Sequence, residues 1–435
     1  MDNITQRNVL PEKVLRRHLE IVQEIIPDIT RLVLDEGRPA DVLLNRYLRS
    51  HRELGSRDRR FLSQAVFSYF RWYGWSVGRL GMAPTEACLL GVLLDSVLLH
   101  PSFAYALGQG ALPEAAGPIG DRPLEEQRRE LEAWFADTLQ GAPLEPMALV
   151  PSHCTELVDP PILQRSVIEF QQRPPVWLRA RTTSETLARA LEEHGIPCRI
   201  HERLSGAVSI DSGISLQQEL GDQSAQFVVQ DLSSQCVGAV CSPSEGEDWW
   251  DCCAGAGGKS LQLMDLMNQK GRILATDNRA DALKELKKRA RHYGIRNIRT
   301  QPFNATTDEP FTKTFDGVLV DAPCSGWGTW GRNPDARWRS SHRDVIQCAN
   351  RQLKILATAK WCVNPGGTLV YAVCTLTRPE TEEVVTQFLK AHPEFSLDPF
   401  PCPITGRMTD GHLQVWPWDG PCDAMFIARF IRRND

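Results

Sequence analysis

Hydrophobic residues at helical spacing dominate the first part of the chain. Leu15, Leu19 and Val22 recur every three or four positions, which is typical of an amphipathic helix. A cluster of prolines and glycines between residues 140 and 160 then interrupts the pattern, and such clusters favour turns. We therefore predict an all-α domain over residues 1–145.

A short mixed stretch follows this boundary. Residues 176–180, 198–201 and 207–210 have the pattern of strands, and residues 184–194 have the pattern of a helix. The stretch is too short for a catalytic domain, so we predict a small α/β subdomain over residues 146–225.

From residue 226 onward, apolar strands alternate with amphipathic helices. The predicted strands cover residues 249–252, 273–276, 318–320 and 368–374, and the predicted helices cover residues 259–267, 280–292, 344–363 and 379–391. This alternation implies an α/β domain with a doubly wound, mostly parallel sheet. Such sheets bind ligands at the carboxyl ends of their strands, so we expect the chemistry of residues 226–435 at that edge.

The charge balance narrows the class of protein. Lysine and arginine total 49 against 54 aspartate and glutamate, a net charge of -5. This excludes a histone-like wrapper of nucleic acid but not a local basic groove. Residues 42–79 carry eight arginines and two acids.

The apolar runs and the cysteines indicate the compartment. The longest apolar run, residues 87–99, is too short to cross a membrane and includes Asp95. The first residues lack the basic and apolar regions of an export signal. The 13 cysteines include no CxxC pair, so no thiolate metal site is indicated. We expect a cytoplasmic protein with reduced thiols, no metal and no membrane partner.

A glycine-rich loop over residues 251–260 joins the first strand of the large sheet to a helix. A P-loop needs glycine where Cys253 stands, and the dinucleotide fingerprint needs a third glycine where Ser260 stands. An adenosyl-methionine loop remains. Its glycines let the backbone approach the ligand, and Asp277 at the end of the next strand would hold the ribose hydroxyls. A turn that serves packing alone is the alternative.

Two neighbouring strands of the sheet each end in a cysteine. One delivers Asp321-Ala322-Pro323-Cys324 and the next delivers Cys374, so both thiols are expected at the same edge. A cysteine at a strand end is often a small buried hydrophobic residue. Two cysteines beside the predicted cofactor loop are nevertheless candidates for reactive thiols.

Taken together, the motifs resemble those of the Sun/Fmu (RsmB-like) family of RNA cytosine-5 methyltransferases. They occur in the family's order: Gln230-Asp231-Leu232-Ser233-Ser234-Gln235, residues 253–259, Asp277, residues 321–326, residues 332–338 and residues 371–375. The resemblance covers about residues 226–435, and residues 56–62 are similar to the NusB-like RNA-binding domain that begins members of this subfamily. It implies a Rossmann-like methyltransferase domain, S-adenosylmethionine as the cofactor and RNA as the substrate, with 16S ribosomal RNA favoured.

The resemblance also implies a role for each site residue. Cys374 would add to carbon 6 of cytosine, which makes carbon 5 nucleophilic, and Cys324 would assist release of the product. Asp321 would bond the ring nitrogen and amino edge of the base. Lys259 would line the pocket near the base, and a solvated lysine is the alternative for it. The cofactor would contact Cys253, Ala254, Gly255, Ala256, Gly257, Gly258, Lys259, Asp277, Asn304 and Asp321.

Arginines and tryptophans interleave over residues 327–343. Guanidinium and indole groups together suit single-stranded RNA or a flipped base, because they combine phosphate contacts with stacking. A surface loop whose tryptophans pack on the core is the alternative. The predicted RNA contacts are Arg332, Arg337, Trp338, Arg57, Arg59 and Arg60.

The chain departs from the family pattern inside the predicted site. Ala256 replaces a proline, Asn304 replaces an aspartate, and Val373 replaces a hydroxyl residue before the nucleophile. Two other functions therefore stay open: a methyltransferase for transfer RNA or another RNA, and an RNA-binding assembly factor with weak or no catalysis. Nothing in the sequence demands a dimer, so we expect a monomer.

Overall fold

Two compact units make up the chain in the computed structural model, which describes residues 10–211, 216 and 220–434. The first unit extends to Gln172 and also contains Trp330–Ser341, and the second contains Arg173–Thr329 and His342–Asp435. The first four residues, on which the expected lack of an export signal rests, lie outside the described residues.

The division between the units falls at residue 172, and not at the predicted boundary of residue 145. Residues 146–172 pack within the helical unit, where Leu149, Leu163 and Val167 are fully buried. The predicted subdomain over residues 146–225 is thus divided between the two units. That the helical unit is NusB-like and binds RNA stays a prediction.

Helices build the first unit. They are α1 (Glu12–Glu36), α2 (Ala40–Ser50), α3 (Ser56–Ser76), α4 (Pro84–Asp95), α5 (Pro101–Gly108), α6 (Leu124–Trp134), α7 (Ala136–Leu139), α8 (Cys154–Leu157) and α9 (Pro160–Glu169), with a further short helix over Ala336–Arg339.

A polar cluster lies inside this helical unit. The carboxylate of Asp95 accepts hydrogen bonds from Ser68 (2.7 Å), Trp72 (2.6 Å) and Arg71 (3.1 Å). Arg71 is only 2% exposed, and a buried guanidinium needs such partners. At least one arginine of the basic stretch over residues 42–79 therefore serves the interior and not a groove.

A small antiparallel sheet opens the second unit. Among the described residues its strands are β1 (Val176–Ala180), β2 (Cys198–Ile200), β3 (Ala207–Ile210) and β4 (Phe227–Val229), in the order β2-β3-β1-β4, with α10 (Ser184–Glu193) between β1 and β2 in the chain. Leu187 and Leu191 of α10 are buried against Leu178 and Val208 of the sheet. The strands and the helix predicted for this stretch are confirmed.

The larger sheet is the predicted doubly wound core. Its strands are β5 (Asp248–Asp251), β6 (Arg272–Asp277), β7 (Ile298–Pro302), β8 (Phe315–Asp321), β9 (Val363–Val373), β10 (Phe395–Leu397), β11 (His412–Val415) and β12 (Met425–Arg432). The order is β10-β12-β9-β8-β5-β6-β7, with β11 beside β12. Strands β5 to β9 pair in parallel, and β12 pairs antiparallel with β9, β10 and β11.

Helices cover both faces of this sheet. They are α11 (Leu232–Cys241), α12 (Gly258–Leu266), α13 (Ala280–His292), α14 (His342–Ala359) and α15 (Glu382–Ala391). Apolar residues of α11, α12 and α13 share one buried cluster, and those of α14 and α15 share a second. This confirms the predicted fold class, a Rossmann-like α/β domain preceded by helices. In the described part of the chain, no helix is both long and apolar enough to span a bilayer.

Candidate active site

A cavity of about 820 Å³ lies at the carboxyl ends of the parallel strands in the second unit. Its walls come from the segments that follow β5, β6, β7, β8 and β9. This is the edge where an open α/β sheet binds its ligands. The glycine-rich loop and both strand-end cysteines line the cavity.

The glycine-rich loop can turn because two of its glycines adopt a left-handed backbone. Gly255 has a φ of 53° and Gly257 a φ of 83°, values that other residues rarely adopt. A Cβ on Gly257 would overlap the side chain of Leu286 in α13. Gly258 and Lys259, the first residues of α12, line the cavity, so a helix N-terminus lies beside the position of a ligand.

Asp277 closes β6 and is fixed by its neighbours. Its Oδ2 accepts a hydrogen bond from the backbone N–H of Gly255 at 2.9 Å. The backbone N–H and the guanidinium of Arg279 donate to the same carboxylate at 2.8 to 3.0 Å. Burial opposes ionisation, but these hydrogen bonds outweigh it and lower the pKa of Asp277. The residue is thus an ionised acceptor on the cavity wall.

Asn304 lines the cavity just after β7. Its Oδ1 accepts hydrogen bonds from the backbone N–H (3.1 Å) and the hydroxyl (2.7 Å) of Thr306. The amide oxygen is therefore engaged within its own turn. Because an amide also carries two N–H donors, Asn304 differs from an aspartate in what it presents to an adenine.

Lys259 and Asp321 form an ion pair on the cavity wall. Lys259 Nζ lies 2.7 Å from Asp321 Oδ2, and their side chains are 11% and 31% exposed. Burial alone would lower the pKa of Lys259, but the Asp321 carboxylate outweighs it and raises that pKa. The solvated-lysine alternative does not describe this geometry, because the ammonium is both shielded and paired.

The two strand-end cysteines meet beside this ion pair. Cys324 Sγ and Cys374 Sγ are 3.3 Å apart, and both side chains are partly exposed to the cavity. Either thiol can donate in this contact. With Cys324 as the donor, the shared hydrogen bond lowers the pKa of Cys374 and raises that of Cys324. The contact thereby favours the thiolate form of Cys374, which is the nucleophilic form of cysteine, and the protonated form of Cys324.

A buried acid lies beneath the cavity at the end of β5. Asp251 is 1% exposed, and its Oδ2 accepts a hydrogen bond from the Ser260 hydroxyl at 2.6 Å. Burial raises the pKa of Asp251 to about 7. Its Oδ1 has no hydrogen-bond partner in the described structure, which adds to the cost of ionising it.

The cavity brings together nearly all of the predicted catalytic and cofactor-binding residues. Those that line it are Cys253, Ala254, Gly255, Ala256, Gly258, Lys259, Asp277, Asn304, Asp321, Cys324 and Cys374. Gly257 is buried. It allows the loop to turn but does not line the cavity.

The structure contradicts the predicted RNA contact of Arg337. Its guanidinium is 0% exposed, lies over the ring of Trp330 at 5.3 Å and is inside the first unit. Trp330 is buried as well, so this part of the segment follows the alternative in which tryptophans pack on a core. Trp338 is partly buried, and its indole N–H donates to the carbonyl of Phe70 at 2.8 Å.

The remaining predicted RNA contacts also lie in the first unit. Arg57 and Arg60 are exposed, and Arg332 is half-buried. The guanidinium of Arg59 donates to the carbonyls of Leu48 (2.9 Å) and Leu54 (3.0 Å), so it satisfies backbone groups near the end of α2 and in the loop that follows it. RNA binding by these residues stays a prediction.

Several cavity residues were missed in the sequence. Arg279 follows Asp277 by two positions, and Arg351 comes from α14. Ser234 belongs to a motif that the sequence did show, but its place on the cavity wall could not be read from that motif. Single arginines in helices and loops have no periodic sequence pattern, so only the folded structure shows that Arg279 and Arg351 line the cavity.

The site fits the cofactor that the sequence predicts. The left-handed turn at Gly255 admits a ligand close to the backbone, and the ionised Asp277 suits ribose hydroxyls. Over residues 10–211 and 220–434, no group of three or more His, Cys, Asp or Glu side chains is arranged to hold a metal ion.

Comparison with known proteins places the chain in a family. The family model described as 16S rRNA methyltransferase RsmB/F matches residues 239–431. The ribosomal RNA small subunit methyltransferase B of Erwinia tasmaniensis is 30% identical over 415 residues, which cover 88% of this chain and 93% of that protein. A probable ribosomal RNA small subunit methyltransferase B of Bacillus subtilis is 35% identical over 219 residues, which are 49% of each chain.

A solved structure shares the fold of this chain. The crystal structure of PH0851 matches with a TM-score of 0.70 and 24% identity, covering 97% of this chain and 99% of that one. RsmB/F methyltransferases use S-adenosylmethionine, which confirms the predicted cofactor. The identity to the Erwinia protein over nearly its whole length shows that this chain belongs to the RsmB/F family of S-adenosylmethionine-dependent RNA methyltransferases.

Proposed function

We propose that this protein methylates carbon 5 of a cytosine in RNA through a covalent bond between Cys374 and carbon 6 of the base. The observation that carries the proposal is the pair of cysteine sulfurs 3.3 Å apart, beside the Lys259–Asp321 ion pair. A methyltransferase acting on an already nucleophilic atom has no need of a second thiol touching the first.

The arrangement accounts for each step of the reaction. The Cys374 thiolate forms a bond to carbon 6, and the electron pair moves to carbon 5. When bound, S-adenosylmethionine would supply an electrophilic methyl group, and S-adenosylhomocysteine would be the leaving group as carbon 5 forms its new bond. Carbon 5 then loses its proton to solvent, the double bond between carbons 5 and 6 re-forms, and the sulfur leaves carbon 6 as a thiolate. Cys324 stabilises that departing thiolate by the hydrogen bond it makes in the resting protein.

Asp321 and Lys259 hold the base for this addition. We assign Asp321 to the ring nitrogen and amino edge of the cytosine, where charge changes as the sulfur adds. Lys259 fixes the orientation of that carboxylate at 2.7 Å. It also favours the thiolate form of Cys374 by its positive charge.

We propose 16S ribosomal RNA as the substrate and the cytoplasm as the compartment. The family description and the relatives from Erwinia and Bacillus support this choice, since all three refer to the small ribosomal subunit or its RNA. The helical first unit would bind the RNA as a NusB-like domain, with the exposed Arg57 and Arg60 in contact with phosphates. We further propose that the protein acts as a monomer.

The test is transfer of labelled methyl groups from S-adenosylmethionine to 16S RNA from cells that lack the protein. We expect label in 5-methylcytosine with the wild type and none with Cys374→Ala. Cys324→Ala should accumulate a covalent RNA adduct, which the double variant with Cys374→Ala should lack. Cys198→Ala is the matched control, because this partly exposed cysteine lies in β2 and outside the cavity.

The outcomes separate the proposals. Label that survives Cys374→Ala but is lost in Cys324→Ala would reverse the two roles. Label on transfer RNA alone would keep the chemistry and replace the substrate. RNA binding without label or adduct, on naked RNA and on immature small subunits alike, would favour an assembly factor.

A further inference from the structure

Glu380 lies fully buried in the segment that follows Cys374. Its carboxyl group accepts hydrogen bonds from the backbone N–H of Ser325 (2.9 Å) and the amide of Gln352 (2.9 Å). It also accepts from the hydroxyls of Thr377 (2.8 Å) and Thr375 (3.3 Å). The side chain is 0% exposed, so it cannot touch a substrate in the cavity.

These donors belong to the two segments that carry the cysteines. Ser325 follows Cys324 directly, and Thr375 follows Cys374 directly. The hydroxyls of Ser325 and Thr375 are also 3.0 Å apart and bonded to each other. One carboxyl group thus joins the segment after β8 to the segment after β9, at the point where each delivers its thiol.

A second set of bonds fixes the carboxyl group to the core. The amide of Gln352 donates to the carbonyl of Pro323 at 3.1 Å as well as to Glu380. The hydroxyl of Tyr371, a fully buried residue of β9, lies within hydrogen-bonding distance of two acceptors, Gln352 Oε1 (2.9 Å) and the carbonyl of Glu380 (2.6 Å), which share its one proton. We call these hydrogen bonds around Glu380 the frame. The frame connects the two cysteine segments to Gln352 of α14 and Tyr371 of β9.

We propose that Glu380 is a positioning residue that holds the Cys324 and Cys374 sulfurs at hydrogen-bonding distance for methyl transfer. The proposal rests on the proposed function, in which both thiols act. The sulfurs need this frame because each sits on the first residues beyond a strand, where the ladder no longer fixes the backbone. A displacement of about 1 Å can reduce a catalytic rate on the order of 100-fold.

The negative charge of Glu380 and its positioning role have opposite effects on the reactivity of Cys374. An experiment can therefore separate the two effects. As a negative charge it raises the pKa of Cys374, as Asp321 does, whereas the Cys324 hydrogen bond and Lys259 lower it. Removing only the charge would therefore make Cys374 more reactive. Removing the frame would cost Cys374 its bond from Cys324 and make it less reactive.

Two substitutions separate these effects. Glu380→Gln removes the charge and keeps most of the frame, because the hydroxyls of Thr375 and Thr377 can rotate to accept from the new amide. Glu380→Ala removes both. Glu383→Ala is the matched control, since this exposed glutamate lies three positions further along in α15.

The readout is the rate of alkylation of Cys374 by iodoacetamide as a function of pH, followed by peptide mass spectrometry. We expect Glu380→Ala to slow alkylation about tenfold near neutral pH, which is a rise of about one unit in the apparent pKa. Glu380→Gln should match the wild type or exceed it, and Glu383→Ala should match it. In methyl transfer, Glu380→Ala should lose on the order of 10- to 100-fold in kcat with KM for both substrates unchanged.

Other results would overturn the proposal. Equal loss of reactivity in both Glu380 variants, or no loss in a folded Glu380→Ala, would leave Glu380 with a structural role only. If Glu380→Ala does not fold, Thr377→Val removes one donor of the frame and should show a smaller slowing in the same direction; no slowing there would also overturn it. Alkylation needs neither RNA nor cofactor, so a wild type that transfers no methyl group would refute the proposed function and leave this test standing.

Discussion

Arg279 binds the carboxylate of Asp277, the group that we assign to the ribose hydroxyls of the cofactor. Oδ1 of Asp277 accepts from the backbone N–H and from Nε of Arg279, and Oδ2 accepts from Gly255 and from Nη2 of Arg279. A carboxylate has about four acceptor sites, so all of them are filled. Two ribose hydroxyls can bind there only if the guanidinium moves away.

We therefore expect Arg279→Gln to bind S-adenosylmethionine more tightly. The side chains of Arg279 and Asp277 are 69% and 5% exposed. Because the guanidinium stays largely in solvent, its hold on the carboxylate is weak, so the gain should be about two- to fivefold in Kd. Isothermal titration calorimetry measures it, with the exposed Arg299→Gln in β7 as the control. Weaker binding in Arg279→Gln would mean that the guanidinium contacts the cofactor instead of competing with it.

Asp251 gives the second unit a stability that depends on pH. Burial raises its pKa to about 7 from an ordinary value of 3.8. Between these values the folded protein keeps a proton that the unfolded chain has released, so the free energy of unfolding falls as the pH rises. The slope from this group approaches about 1.4 kcal/mol per pH unit.

Asp251→Asn should remove this part of the pH dependence, because an amide does not ionise and its oxygen can still accept from Ser260. Urea unfolding at pH 5 to 8 should show the variant gaining on the wild type as the pH rises. Asp281→Asn, at an exposed position of α13, is the control. Parallel curves for Asp251→Asn and the wild type would show that Asp251 is already ionised at pH 5.

At the scale of elements, the periodic patterns of apolar residues were the most informative about where helices and strands lie. Helix α13 spans Ala280–His292, as its apolar spacing predicts, because one face packs on the sheet and the other is solvated. Strands β5, β6, β8 and β9 likewise follow the apolar runs. The antiparallel strands at the end of the chain were not predicted, since their pairing with β9 is set by contacts between distant residues.

The residues of the site also divide into those that the sequence predicts and those that it does not. Residues in motifs, such as Asp277, Cys324 and Cys374, could be placed on one edge because strand ends meet there. Glu380 and Arg279 could not be predicted. Glu380 acts as a buried hydrogen-bond acceptor and Arg279 competes with ribose for Asp277, and neither role has a characteristic sequence spacing. Arg337 was misjudged for a related reason: it is buried beside residues far away in sequence, and its guanidinium donates to the carbonyl of Leu149 at 3.3 Å.

The loop between β5 and α12 depends on close packing as well as on backbone conformation. Gly257 combines a φ of 83° with a Cβ position that overlaps Leu286, whereas Gly246 has a φ of 90° and open space around it. We expect Gly246→Ala to cost about 1 kcal/mol of unfolding free energy, and Gly257→Ala to cost about 1–3 kcal/mol more. Urea denaturation of the two variants measures the difference, and equal losses would show that Leu286 moves aside without cost.

At the scale of the whole molecule, the first unit is discontinuous in sequence. Residues 330–341 lie between β8 and α14 of the second unit but pack with the helices. Asp335 Oδ2 accepts from the backbone N–H of Ala40 (3.0 Å), and the indole of Trp338 donates to Phe70 (2.8 Å). The carbonyl of Gly331 accepts from Arg71 at 3.0 Å. A sequence reading that divides the chain into consecutive domains cannot recover this arrangement.

A fragment ending at residue 172 should therefore be an incomplete domain. Without residues 330–341 it leaves the guanidinium of Arg71 and the N-terminus of α2 short of partners, and it exposes the surface against which Trp330 packs. Joining residues 330–341 to the fragment through a flexible linker should raise its free energy of unfolding by about 3 kcal/mol or more, from three hydrogen bonds and a buried indole. The same linked form with Trp330→Ala should lose most of that gain in urea denaturation. If the fragment is equally stable with and without the segment, residues 330–341 rest on a helical unit that is already complete, and their contacts contribute to the arrangement of the segment and not to the stability of the helices.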